Sequence, residues 1–131
     1  WLVGTILRDR TIMIIEKEYH NYDAGPHEGV RYRFLLGDES TKLYAILIID
    51  CFADVALIHP ELLYPTKDNL VNLRKEMFDV GMPIMQKYKY DEAHFLTHNK
   101  KFIDLLVGDK AEFVATIENQ FPLYRYSLEG H

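Results

Sequence analysis

The chain of 131 residues is 48% hydrophobic and 27% charged, a balance that suits one domain around one core and excludes intrinsic disorder. Its net charge is −5, divided as −4 over residues 1–65 (6 basic, 10 acidic) and −1 over residues 66–131 (9 basic, 10 acidic), which disfavours nonspecific attraction to nucleic-acid phosphates. The longest nearly apolar run, Tyr44 to Cys51, ends against Asp50, far short of the ~20 residues a membrane-spanning helix needs, so no membrane crossing is expected.

Trp1 to Arg8 and Thr11 to Tyr19 are aliphatic, β-branched runs separated by Asp9-Arg10, which predicts a tight hairpin. His20 to Gly29 collects Asn21, Asp23, Gly25 and Pro26 and reads as a loop. From Val30 the apolar residues Val30, Tyr32, Phe34 and Leu36 alternate with Arg31, Arg33, Leu35 and Gly37, the period of a half-buried strand. After the polar turn Asp38 to Thr41, residues Leu43 to Ile49 are apolar on both parities, so a central strand covered by helices on both faces is expected. Val55 to Ile58 fits a short strand or a helical turn, and Pro60 and Pro65 mark the passage into a helical half.

In that half Leu70, Leu73, Met77, Val80 and Ile84 form one helical stripe, with Asp68 as the expected N-cap. Gly81 and Pro83 predict a kink or a restart. A second helix is expected between Asp91 and Val107, stopped by Gly108. Asp109 and Glu112 suggest a third through about Asn119, with the alternation of Phe113, Ala115 and Ile117 favouring a strand instead. Phe121 to Tyr126 reads as an edge strand.

Three groups of residues are candidates for chemistry. Asp91, His94 and His98 project from one side of the expected second helix, an arrangement in which two imidazoles and a carboxylate can hold a zinc-like ion. Asp50 stands at the exit of the apolar strand, where strand ends present side chains with fixed geometry. Arg31 and Arg33 share a strand face and suit a carboxylate or phosphate, although pairing with Glu16 or Glu18 on a neighbouring strand accounts for them as well. Cys51 has no partner cysteine in the chain, so a buried thiol in a reducing, cytoplasmic compartment is expected. No Walker A loop, dinucleotide-binding glycine fingerprint, nucleophile elbow, Cys-x-x-Cys pair or EF-hand loop occurs in the sequence.

These observations predict a single α+β domain over residues 1–127. A mostly antiparallel sheet of four or five strands from the first half packs against two or three helices from the second. Leu128 to His131 reads as a cloning or tag remnant. The function expected is noncatalytic binding of a small molecule or a protein, since aromatic residues at 13% suit a ligand pocket or the interface of a homodimer. The alternatives are a small metal-dependent hydrolase using Asp91, His94 and His98 and an acidic antagonist of a basic protein. No cofactor is expected on the first reading, and a divalent metal on the second.

Overall fold

The computed structural model describes residues 2–8, 11–20, 29–38, 42–52 and 55–129. The expected turns at Asp9-Arg10 and Glu39 to Thr41, and the loop residues Asn21 to Glu28, lie outside the described residues. Those residues form one eight-stranded sheet in the order β1-β2-β3-β4-β5-β6-β8-β7. The strands are β1 (Leu2–Arg8), β2 (Thr11–His20), β3 (Gly29–Gly37), β4 (Leu43–Phe52), β5 (Val55–Leu62), β6 (Glu92–Leu96), β7 (Glu112–Ile117) and β8 (Phe121–Ser127). Every neighbouring pair is antiparallel except β5 and β6, which run parallel.

The chain therefore departs from the expected four- or five-stranded antiparallel sheet: the sheet is mixed, and three of its strands come from the second half. The Asp91–Val107 helix is replaced by β6 followed by the shorter helix α3 (Lys100–Val107), and the stretch after Asp109 is strand β7. Phe95, Phe102, Ile103 and Leu106, which would fall on one side of such a helix, belong instead to two different elements, β6 and α3. Four apolar positions spread over twelve residues are too few to tell one helix from a strand followed by a shorter helix.

The remaining helical mass is one continuous segment, α1 (Lys67–Glu76), a π-helical turn (Met77–Gly81) and α2 (Met82–Lys87). Thr66, and not Asp68, is the N-cap, its hydroxyl accepting the Asn69 N–H at 3.1 Å. The wider turn resolves the Gly81 and Pro83 signals without a break. One extra residue per turn brings Met82, five positions after Met77, back into the core, so the buried stripe is Leu73, Met77, Met82 and Met85. Gly81 lies against β4: a Cβ there would stand 2.9 Å from Ile49 Cδ1, so the helix reaches the sheet only because no side chain intervenes.

Both helical segments cover one face of the sheet. Gly81 meets Ile49 and Leu47, Tyr88 Oη lies 3.0 Å from Tyr32 Oη, Phe78 packs edge-on to Tyr126, and Lys100 at the start of α3 stands over the Tyr124 ring. The core on this face includes Met13, Phe34, Leu36, Ala45, Leu47, Ile49, Cys51, Ile58 and Phe95, all at most 2% exposed. On the opposite face Ile14, Leu35, Ile46, Ile48 and Leu57 are only half-buried. The doubly apolar strand β4 thus has helices on one side, where two had been expected; its second apolar parity is shielded by neighbouring strand side chains. No helix among the described residues is long and apolar enough to cross a membrane.

Candidate cleft between parallel strands

The one parallel junction of the sheet is short. β5 and β6 pair through Leu57↔His94 and Ile58↔Phe95 and then separate. The cause is written in β5. Leu63 N–H donates to Tyr44 C=O at 2.8 Å, and antiparallel bonding alternates along the β4–β5 register. The backbone polar groups of Leu57, His59 and Glu61 therefore turn toward β4, and those of Ile58, Pro60 and Leu62 turn toward β6. Pro60 has no N–H to give to the ladder, so parallel pairing stops at Ile58, two residues before it.

Beyond the fork lies a cleft of about 420 Å³ lined by His59, Pro60, Glu61, Leu62, Pro65, Thr97, Asn99 and Phe102. One wall is the unpaired edge of β5. The other is the turn into α3, which is held by its own hydrogen bonds. Thr97 N–H donates to Pro122 C=O at 3.0 Å, Asn99 N–H to Thr97 Oγ1 at 2.9 Å, and Phe102 N–H to Asn99 Oδ1 at 3.1 Å as the helix N-cap. These bonds rigidify the wall, and a crevice at the carboxyl ends of parallel strands is the usual ligand position in open α/β sheets.

The residues expected to act are distributed differently. Arg31 grips Asp50 through two bonds, Nε to Oδ1 at 2.7 Å and Nη2 to Oδ2 at 3.1 Å, across the register pair Arg31↔Asp50. Arg33 Nη2 donates to Glu16 Oε2 at 2.7 Å, and the arginine holds that carboxyl below its usual range chiefly through this bond. Arg33 thus has the cross-strand partner Glu16 that the strand spacing allowed, whereas Arg31 is held by Asp50 on β4, a partner the sequence reading had not named. Asp91, His94 and His98 do not share a helix. Asp91 precedes β6 and accepts the Leu128 N–H through its backbone carbonyl. His94 lies within β6, and exposed His98 follows the strand, its ring 5.8 Å from that of Phe121. Among the described residues no three His, Cys, Asp or Glu side chains gather as a metal site requires. Of the cleft residues the sequence marks Pro60 and Pro65, as the passage into a helical half and not as a site; Pro60 is the available signal, because a proline inside a strand implies a missing neighbour on one side.

Cys51 is fully buried, and burial first, then the neighbouring Asp50 carboxylate, pushes its thiol up to about 12. A group shifted upward stays protonated through the neutral range. Native protein at about pH 8 is therefore expected to resist an aromatic disulfide reagent that titrates the thiol only after denaturation; rapid labelling of the folded protein would contradict the buried placement.

No protein-family model matches this chain, and no curated protein matches it. Among solved structures it is similar to a protein from Sphaerobacter thermophilus DSM 20745 described as a "putative acetyltransferase", with a TM-score of 0.55, 7% sequence identity and coverage of 97% of this chain and 98% of that one. At this identity the likeness is one of fold, and it extends over the whole sheet-and-helix arrangement.

Proposed function

We propose that this chain is a small-molecule binding domain whose ligand occupies the cleft beyond the β5–β6 fork, and that the ligand is an extended, amide-bearing acyl thioester. The observation that supports this reading is the end of the parallel ladder after Ile58↔Phe95, which leaves the β5 edge free to pair with a chain entering the sheet as a further strand would. That edge offers the Pro60 carbonyl and the Leu62 N–H and carbonyl, so it suits a ligand with alternating amide donors and acceptors. The leucine, prolines and phenylalanine of the lining suit its aliphatic parts. The acyl-thioester class is suggested by the fold's likeness to a protein described as a "putative acetyltransferase".

Acetyl-coenzyme A is the probe. At about a hundredfold excess over Kd, binding to the native state is expected to stabilise it by about 2.7 kcal/mol, a rise of several degrees in Tm. His59→Trp, which fills the cleft from an exposed position, is expected to abolish that rise while leaving the Tm of the free protein within a degree or two. Absence of any shift with millimolar probe would refute the reading. Acetyl transfer itself is the second reading, favoured by the same likeness; release of free thiol from the bound thioester in the presence of amines would establish it.

A further inference from the structure

The sheet ends at β7. Its inner edge pairs with β8, and among the described residues no strand pairs with its outer edge. All six residues from Glu112 to Ile117 are exposed, and the five from Phe113 to Ile117 include no charge and no proline, the common protections of a free edge. Apolar side chains leave it on both faces. Phe113, 59% exposed, lies edge-on to Tyr124 on the helix-covered face. Ile117 is 42% exposed and pairs with Phe121, 40% exposed, which stands three residues from Tyr124 on β8 and so points to the open face. An apolar run on both parities suits a strand with a neighbour on each side, and β7 has one.

The charges at its ends indicate the missing neighbour. Lys110 precedes β7 and Glu118 follows it; both are exposed, and among the described residues neither belongs to an ion pair. Two antiparallel copies of one strand related by a two-fold axis set one residue against itself. With Val114 on the axis, Lys110 of each copy stands opposite Glu118 of the other, and Phe113 opposite Ala115. An axis through Ala115 would instead set Glu112 against Glu118, like charge against like, and one through Phe113 would set Asp109 against Ile117. Val114 is also the residue by which β7 exceeds β8, since the register passes from Phe113↔Tyr124 to Ala115↔Leu123. Such a bulge twists an edge away from a straight strand, but an axis through it gives both copies the same twist at the same point.

We propose that β7 is the contact surface of a reversible homodimer, in which the edges of two copies of this chain run antiparallel about a two-fold axis at Val114 and their sheets join. Phe113, Val114, Ile117 and Phe121 together expose roughly 350 Å² of apolar surface, at about 150–250 Å² for each free residue. This is under half of the ~800 Å² per partner in a standard stable interface, so the dimer forms and dissociates at micromolar concentrations. The cleft lies on the far side of β8 and β6 and stays open in it.

Sedimentation velocity of the full chain, from low micromolar to near-millimolar concentration, is expected to show the protomer give way to a species of twice its mass. Val114→Lys sets two ammonium groups against each other on the axis and should weaken association at least tenfold; Val114 is exposed, so the circular dichroism of the variant should match the native protein. Lys110→Glu and Glu118→Lys should each weaken it about tenfold, because both symmetric pairs turn from attraction to repulsion. The double variant Lys110→Glu/Glu118→Lys should return to the native affinity. These exposed charge reversals decide the matter even if Val114→Lys fails to fold. A protomer at every concentration would leave the edge to some other chain and overturn the proposal, as would open-ended assemblies larger than a dimer. A dimer indifferent to Val114→Lys, or a double variant no tighter than either single one, would overturn it equally.

Discussion

Phe95→Ala is expected to lower the free energy of unfolding by about 3–5 kcal/mol, read by urea denaturation. Phe95 is fully buried and lies in the last paired row before the fork, opposite Ile58 on β5 and Tyr124 on β8. Truncation removes the transfer energy of the ring and leaves a cavity between three strands that the ladder prevents from collapsing. Phe95→Leu keeps most of the volume and should cost roughly 1 kcal/mol. If alanine costs no more than leucine, β6 does not pack as described, and the fork that depends on it falls as well.

Leu128→Ala should cost about 2–5 kcal/mol, although this residue falls in the segment that the sequence suggested was a tag remnant. Leu128 is 2% exposed. Its N–H donates to Asp91 C=O at 2.8 Å, and its carbonyl accepts from Gln86 Nε2 at 3.1 Å, so it ties the end of β8 to α2 and to the entry of β6. Glu129→Ala, one exposed residue further, is the control and should change stability by no more than about 0.5 kcal/mol. Thermal or urea unfolding of the two variants separates the outcomes, since a true tail residue would make them indistinguishable.

The function depends on how the two halves of the chain meet, and there the sequence was only partly legible. Strands β3 and β4 follow directly from the alternation of Val30 to Leu36 and the apolar run Leu43 to Ile49, because a side chain in a strand points to one face or the other according to parity alone. Helix α1 follows from its stripe, and the cross-strand partner of Arg33 from spacing. The buried state of Cys51 follows from its apolar neighbours. In each case the deciding interaction is local or lies on the adjacent strand.

β6, β7 and the cleft were decided elsewhere. Glu92 to Leu96 is too short to declare its own period, and it becomes a strand because β5 and β8 offer backbone partners on both sides, a tertiary contribution that outweighs weak intrinsic preference. The same pairing withdrew the helix on which Asp91, His94 and His98 would have shared a face. Pro60 shows the boundary between the two kinds of information. Its missing N–H is a property of the sequence, but it opens a cleft only because the chain returns through α1 and α2 to lay a parallel strand beside it. Alternation and strand-length apolar runs determined the antiparallel meander of the first half. Long-range hydrogen bonding, which no window of residues contains, decided the parallel junction and placed β8 between β6 and β7 instead of at an edge.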